Sequence, residues 1–163
     1  KNITRNKNKI FFKISYINLP FQVLILLVFI QIIFGAFVSG LDAGKIYQTW
    51  PMMGSSFVPN DLIMSNYKFF FDFENHSLVQ FYHRTLAYIL VLYVFMLTVF
   101  IFKKKLEKLY TPIKILLFFL FLQALLGIFT LISDLNILIA SSHQITSVLL
   151  VFSALNLYYL RVK

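Results

Sequence analysis

The chain has 163 residues, of which 60% are hydrophobic and 18% aromatic, and it carries 15 basic and 6 acidic residues but no cysteine. This apolar content, with a mean hydropathy of +0.80, exceeds what a soluble core can bury and indicates an integral membrane protein. The lack of cysteine excludes disulfide bonds, iron–sulfur ligation and covalent attachment of a c-type haem.

Four stretches with few or no charges are each long enough to cross a bilayer. Roughly 20 apolar residues, at a rise of about 1.5 Å each, span a hydrocarbon core about 30 Å thick. The predicted spans are residues 20–41, 77–102, 113–132 and 137–160, preceded by a basic segment, residues 1–19. All four are expected to be helical, because an open sheet would leave backbone groups unpaired in lipid. The predicted fold class is therefore all-α, with residues 20–163 forming a polytopic four-helix membrane bundle.

Most of the positive charges fall on one side of this four-span layout, whereas Lys45 and Lys68 lie on the other side among mostly acidic residues. The majority lie before the first span, between the second and third spans and after the fourth, at Lys1, Arg5, Lys7, Lys9, Lys13, Lys103, Lys104, Lys105, Lys108, Lys114, Arg161 and Lys163. By the positive-inside rule, this side and both termini face the cytoplasm across a bacterial plasma membrane, or the matrix across a mitochondrial inner membrane. The basic surplus thus reflects topology and contact with lipid, and nucleic-acid binding is not expected.

The connection between the first two spans, residues 42–76, is long for such a segment. It is also rich in aromatic side chains, at Trp50, Tyr67, Phe69, Phe70, Phe71 and Phe73. This composition predicts a segment that lies at the membrane interface or over the mouth of the bundle. An aromatic belt with no ligand role explains the same residues.

An internal repeat relates the first span to the third. The residues Gln31, Gly35, Phe37 and Asp42 recur with the same offsets as Gln123, Gly127, Phe129 and Asp134. Each set precedes a span that contains a histidine, so the repeat predicts two helix pairs that each contribute one histidine to a shared centre. Chance similarity between two apolar helices is the alternative.

Two histidines, His83 and His143, lie six residues beyond the predicted starts of the second and fourth spans, about 9 Å from the outer helix ends. An ionisable residue at such a depth indicates a functional site. A matched pair favours haem, because its iron needs two axial ligands from the protein, whereas a zinc site needs three or four. We therefore predict a non-covalent, bis-histidine b-type haem. For either histidine alone, a hydrogen bond to a neighbouring carbonyl is the alternative.

Four further polar residues lie near these histidines in the sequence. Arg84 is expected either to pair with a haem propionate or to extend to the lipid headgroups. Gln80 and Gln144 are expected either to orient an imidazole or to join helices by hydrogen bonds. His76 lies about 10 Å along the helix from His83, too far to share one metal ion, and is expected at the membrane interface.

Several motifs together resemble the C-terminal half of haem A synthase. In chain order they are Gly40-Leu41-Asp42-Ala43-Gly44, Thr49-Trp50-Pro51-Met52-Met53-Gly54, Val58-Pro59, Phe73-Glu74-Asn75, Val79-Gln80-Phe81-Tyr82-His83-Arg84 and His143-Gln144. The resemblance extends over the chain after about residue 20 and implies one half of a pseudo-symmetric eight-helix membrane protein. It also implies the activity of that family, oxidation of the C8 methyl of haem O to the formyl group of haem A, which supplies haem-copper terminal oxidases.

For this chain the resemblance implies the half that binds a b-type haem cofactor through His83 and His143, with haem O as the substrate of the whole enzyme. The family's catalytic half carries a glutamate three residues before its first helix-embedded histidine, whereas Gln80 occupies that position here. A neutral amide cannot act as a carboxylate base or stabilise a developing cation by its charge. The chain by itself is therefore expected to bind haem and transfer electrons, and methyl oxidation is expected to need an N-terminal half or a partner chain.

Two other functions are compatible with the same sequence. One is a b-type cytochrome module that transfers electrons without catalytic chemistry, and the other is a structural or assembly subunit in which the histidines only pack. The start at Lys1 rather than at Met is compatible with a fragment of a longer protein. Association between copies of the chain is also compatible with the sequence.

Overall fold

The computed structural model of the protein describes residues 14–62 and 70–163. Within these ranges the chain forms no β-strand and contains four long helices: α1 (Leu19–Gly40), α2 (His76–Lys103), α3 (Tyr110–Ile132) and α4 (Ile137–Val162). All four are long and apolar enough to cross a membrane. The predicted all-α bundle with four membrane-spanning helices is confirmed. The basic residues up to Lys13, together with Tyr67, Lys68 and Phe69, lie outside the described residues.

The helix ends follow local sequence signals. The side-chain oxygen of Asn75 accepts a hydrogen bond of 3.0 Å from the backbone N–H of Leu78 at the start of α2. Asn136 accepts one of 3.0 Å from Leu138 at the start of α4. Each bond satisfies one of the N–H groups that a helix start leaves unpaired. Helix α3 begins at Tyr110 rather than at residue 113, because proline is tolerated in the first helical turn, where Pro112 lies.

Helices α1 and α3 end with the same backbone conformation. Asp42, just after α1, and Asp134, just after α3, have φ angles of 53° and 55°. Both lie in the left-handed region, which aspartate adopts more readily than most residues other than glycine. These two residues are the last members of the two repeated sets, so the repeat extends from sequence to backbone conformation.

The four helices pack as a ring. Helix α1 packs against both α2 and α4, α3 packs closely against α4, and a smaller contact between α3 and α2 closes the ring. The helices that carry His83 and His143, α2 and α4, therefore lie diagonally opposite each other in the ring. Their facing sides border the middle of the bundle, and α1 contacts both.

The hydrophobic core occupies only one half of the bundle along its axis. This half lies at the basic end, which we define by Lys103, Lys104, Lys105, Lys108 and Arg161 at the helix ends. Its buried residues are Phe21, Leu24 and Val28 of α1, Leu90, Val94, Leu97 and Ile101 of α2, Ile113, Leu116 and Leu120 of α3, and Leu150, Ala154, Leu157 and Tyr158 of α4. Toward the opposite end, the loop end, α1 has no buried residue beyond Val28 and α4 has none before Leu150. Helix α3 has none beyond Leu120, whereas the buried residues of α2 at this end, Ser77 to Gln80 and Arg84, lie near the outer loop. The loop-end half is therefore loosely packed between α1, α3 and α4.

Candidate functional site

Both histidines lie in this loosely packed half, at nearly the same depth. His83 is seven residues after the first residue of α2, and His143 is six after the first of α4, so their depths are about 10 and 9 Å from the helix ends. Both side chains are partly buried.

The imidazole of His83 lies against a glycine and a glutamine of α1. A Cβ atom added to Gly35 would lie 3.2 Å from Cε1 of His83, so that only glycine leaves the ring its full space. The side-chain Nε2 of Gln31 lies 3.1 Å from Nδ1 of His83 and also donates a 3.1 Å hydrogen bond to the His83 carbonyl. Gln31 and Gly35 are one helical turn apart, so both face α2.

The imidazole of His143 also lies against a glycine, in this case one of α3. A Cβ atom added to Gly127 would lie 3.1 Å from Cε1 of His143. The side-chain Nε2 of Gln123 donates a 2.8 Å hydrogen bond to the His143 carbonyl. The repeated glutamine and glycine therefore occupy equivalent places beside the two histidines, and the helix pairs α1–α2 and α3–α4 each build one half of the centre.

The residues present suit a large planar group that takes two ligands. Nδ1 of His143 is buried and has no hydrogen-bond partner among the described residues, although a neutral imidazole needs partners for both ring nitrogens. The two glycines leave space beside each ring. Around the rings, α1, α3 and α4 have no buried residues at the loop end. Within residues 14–62 and 70–163, no group of three or more histidine, cysteine or acidic side chains is arranged to hold a metal ion.

Arg84 is directed toward the outer loop. Its guanidinium donates hydrogen bonds to the carbonyls of Tyr47 (2.6 Å), Thr49 (2.8 Å) and Met52 (3.3 Å). The side chain is 8% exposed, and its Nε–H has no partner among the described residues. The sequence left two partners open, a haem propionate and the lipid headgroups, but the structure reveals a third, the loop backbone. A propionate contact by Arg84 stays a prediction.

Gln80 has a similar role one turn earlier in α2. Its Nε2 donates a 3.0 Å hydrogen bond to the Tyr47 carbonyl and approaches the Gly44 carbonyl at 3.5 Å. A role for Gln80 in orienting the cofactor stays a prediction, as it does for Arg84. Gln144 approaches Ser39 of α1 at 3.4 Å, which fits its predicted role in joining helices. His76 is the first residue of α2 and is exposed.

The loop is also joined to the connection between α3 and α4. The side chain of Gln48 donates a 2.6 Å hydrogen bond to the carboxylate of Asp134. A Cβ atom at Gly44 would lie only 2.8 Å from Cδ2 of Leu135, so the Leu135 side chain packs directly against this glycine. These two contacts hold the loop across the loop end of the bundle, from the α1–α2 pair to the α3–α4 pair.

A carboxylate anchors the far part of the loop. Asp61 accepts hydrogen bonds of 2.6 Å from the hydroxyl groups of Tyr47 and Ser77. Burial raises the pKa of the Asp61 carboxyl, but the bonds from Ser77 and Tyr47 together outweigh it and leave this pKa below its usual value. The hydrogen bond to Asp61 raises the pKa of the Tyr47 hydroxyl. Both shifts favour the charged carboxylate beside the neutral phenol.

Acid is expected to loosen this part of the loop. The pKa of Asp61 is lower in the folded protein than in the unfolded chain. Asp61 therefore stabilises the loop fully above the unfolded pKa. This stabilisation is lost as the pH falls through the folded pKa, below about pH 4. Trp50, the only tryptophan in the chain, lies in the loop and reports its state. The fluorescence of Trp50 is expected to change in this pH range in the wild type but not in Asp61→Asn. Asp72→Asn is the control, and an unaltered transition in Asp61→Asn would contradict the assignment.

The site contains two residues that the sequence did not single out as site residues, Gln31 and Gln123. The only signal for them was their membership of the repeat, which connects each of them to a glycine and to the following histidine. A hydrogen-bond partner 52 residues away, as for Gln31 and His83, is not visible from spacing alone.

Comparison with known proteins gives a consistent set of relatives. The model of the COX15-CtaA family, described as cytochrome oxidase assembly protein, matches residues 13–155. The chain is 40% identical over 145 residues to a protein of Pelagibacter ubique named haem A synthase, covering 87% of this chain and 42% of the relative. It is 43% identical over 140 residues to a haem A synthase of Wolbachia pipientis, covering 85% of this chain and 38% of the relative.

A third relative, from Rickettsia africae, is 37% identical over 139 residues and carries the same name, with 83% of this chain and 40% of the relative covered. The chain therefore spans about two fifths of the length of the curated relatives it matches. No solved structure matches it.

Proposed function

Because the chain belongs to the COX15-CtaA family of cytochrome oxidase assembly proteins, we propose that it is the cofactor-binding half of a haem A synthase. In this proposal His83 and His143 are the axial ligands of a non-covalent b-type haem. Gly35 and Gly127 leave the space that the two rings need, and the loop from Gly44 to Leu62 covers the site at the loop end. The whole enzyme oxidises the C8 methyl of haem O to the formyl group of haem A.

One observation carries the proposal: the two histidines lie at matched depth, each against a glycine and beside a glutamine of the preceding helix. A pair of partly buried imidazoles, with no third metal-binding side chain grouped with them among the described residues, suits a group that completes its own equatorial coordination. When bound, such a haem supplies one-electron redox chemistry. In this proposal the two histidines of the chain would bind the iron, and the helices around them would separate the haem from lipid.

The proposed orientation follows from the charges. The lysine residues between α2 and α3 and the arginine near the end of α4 lie at the basic end, which we assign to the cytoplasmic side of a bacterial plasma membrane or to the matrix side of a mitochondrial inner membrane. Both ends of the chain then lie on that side. The histidines and the loop lie near the opposite surface.

The proposed partner is an N-terminal half of the synthase or a partner chain. Gln80 occupies the position of the family's catalytic glutamate and is hydrogen-bonded through its amide to the loop, so we assign no acid–base role to it. Methyl oxidation is assigned to an N-terminal half or to a partner chain, with haem O bound there. A second candidate function, an electron-transferring b-type cytochrome module, is favoured by the same histidine pair and differs in needing no such partner.

A spectrum of the purified chain tests haem binding. After loading with haem, the reduced-minus-oxidised spectrum is expected to show the sharp α-band of a low-spin, bis-histidine b-type haem. Absence of that band would contradict the proposal. Co-expression with a four-helix half that carries the Glu-x-x-His motif separates the two candidates, because only the synthase converts haem O to haem A.

The two glycines beside the histidines provide a second test. Gly35→Val places branched carbon where even a Cβ would lie 3.2 Å from the His83 ring, whereas an added Cβ at Gly40 of the same helix meets nothing within 4 Å. Gly35→Val is expected to reduce the haem retained per protein by about tenfold, an effect of the size seen for residues that orient metal ligands. Gly40→Val is the matched control. Equal haem content in the two variants would show that the glycine does not shape the site.

A further inference from the structure

A cavity of about 150 Å³ lies between the outer loop and α2. A cavity of this size holds a group about as large as benzene, so it accommodates a small headgroup but not a haem macrocycle. The loop contributes Phe57 and Val58 to its lining, and α2 contributes Phe81, Arg84, Thr85 and Tyr88. Apart from two hydroxyl groups and one cation, the side chains that line the cavity are apolar.

The cavity lies on the side of α2 that faces away from the His83 ring. Phe81 and Thr85 are each two residues from His83, which places them about 160° from it around the helix. The His83 ring lies against Gly35 of α1. A haem held between the two histidines would therefore lie on the other side of α2 from this cavity.

Beyond the cavity, the same side of α2 is an exposed stripe that ends at a lysine. Its residues follow one another at intervals of three or four: Tyr88, Leu92, Phe95, Val99 and Lys103. Arg84 and Lys103 are 19 residues apart, or about 28 Å, which is close to the thickness of the hydrocarbon core. The two cations therefore lie near its two boundaries, and the side chain of Arg84 extends toward the start of α2, in the direction of the headgroups.

The charge of Arg84 has no counter-ion. Three of its five N–H groups donate to carbonyls of the loop, which carry no net charge. Its Nε–H has no partner, and no carboxylate lies within ion-pair distance of Arg84 in the described part of the chain. An unpaired cation that is 8% exposed at the edge of the hydrocarbon core is costly, so this position favours an anion.

We propose that the cavity binds the phosphate of an anionic phospholipid, whose acyl chains lie along the exposed stripe of α2. Arg84 supplies the opposite charge, and the hydroxyl groups of Thr85 and Tyr88 can donate to phosphate oxygens. A zwitterionic lipid is disfavoured, because no carboxylate in the lining would pair with its ammonium group. The lipid would tie the outer loop to the outer leaflet. Such binding is independent of haem and is measured in the haem-free protein.

The single tryptophan gives a local measure of lipid binding. Trp50 directly precedes Pro51, which lines the cavity, so a lipid with a brominated acyl chain in the cavity quenches its fluorescence. In nanodiscs of phosphatidylglycerol and phosphatidylcholine, with one or the other brominated, the wild type is expected to favour phosphatidylglycerol by about fivefold. This preference corresponds to about one contact between a basic side chain and an anionic lipid.

A carboxylate placed in the cavity is expected to remove the preference. In Tyr88→Glu the new side chain lies one turn from Arg84 and supplies the counter-ion itself, whereas Tyr88→Gln is expected to behave as the wild type. Leu149→Glu is the control for charge alone. Leu149 is exposed and lies 12 residues into α4, as Tyr88 does into α2, so its variant is expected to keep the preference.

Equal quenching by the two lipids in the wild type would overturn the proposal, as would an unchanged preference in Tyr88→Glu or an equal loss in Leu149→Glu. If Tyr88→Glu fails to insert, Thr85→Phe decides, because it fills the cavity and a preference that survives would also overturn the proposal. Loss of the preference on addition of inorganic phosphate would assign the site to a free anion instead. A wild type that favours phosphatidylglycerol but binds no haem would refute only the proposed function.

Discussion

Replacement of either His83 or His143 by alanine is expected to abolish the low-spin b-type spectrum of the haem-loaded protein. In the proposed function each imidazole is one of two ligands of the haem iron, and no third histidine, cysteine or acidic residue among the described residues joins them in a metal-binding group. Loss of an iron ligand should cost more than loss of a residue that only orients one, so haem per protein is expected to fall by more than about tenfold. Pyridine haemochrome determination and the reduced-minus-oxidised spectrum measure the two effects.

His76→Ala is the matched control for this experiment. His76 lies on the same helix as His83 but is exposed at its first residue, so the variant is expected to keep the haem content and spectrum of the wild type. A His83→Ala or His143→Ala protein with an unchanged α-band would refute the ligand assignment. In that case the histidines would only pack, as expected for an assembly subunit.

Replacement of Arg84 by methionine is expected to release the outer loop from α2. The variant loses three hydrogen bonds from a charged, almost fully buried group to the carbonyls of Tyr47, Thr49 and Met52. Hydrogen bonds to charged groups contribute about 1.5 to 3 kcal/mol each, so a total loss of about 3 kcal/mol is a conservative expectation. This energy corresponds to an increase of about a hundredfold in the equilibrium for opening of the loop.

The absence of cysteine in the chain makes this opening easy to measure. Met53 belongs to the loop and is only 2% exposed. A thiol introduced by Met53→Cys therefore reacts with a water-soluble reagent only when the loop opens. Labelling is expected to be much faster in Arg84→Met and intermediate in Arg84→Lys, because lysine keeps the charge but lacks the planar fork of donors. Lys103→Met, an exposed cation at the other end of the same helix, is the control.

The same variants separate the two roles of Arg84. If labelling in Arg84→Met stays at the wild-type rate while the spectrum or potential of the haem changes, the main partner of Arg84 is a propionate rather than the loop. Faster labelling with an unchanged haem spectrum assigns Arg84 to the loop alone. The rate and the spectrum are independent measurements on one sample.

The helices could be predicted closely from the sequence because their signals are local. Long apolar stretches and the grouping of lysine residues each depend on neighbours in the chain. The third helix begins at Tyr110, three residues before the predicted residue 113, because the first turn of a helix tolerates a proline such as Pro112. The connection from residue 42 was less predictable, because its conformation depends on contacts with Arg84 and Gln80 of α2.

The sequence by itself determined the four spans, the grouping of basic residues at one end of the bundle, the matched depth of His83 and His143, and the repeat that relates the two helix pairs. These features follow from periodicity, charge and rise per residue, which are properties of the chain in one dimension. Only the tertiary structure decided that Arg84 contacts the loop and that Gln31 lies over the His83 ring. It also decided that Gln123, the repeat partner of Gln31, is engaged by Thr146. Hydrogen-bond partners depend on how each helix is rotated and packed against its neighbours, so two identical residues in a repeat have different partners when a hydroxyl lies beside only one of them.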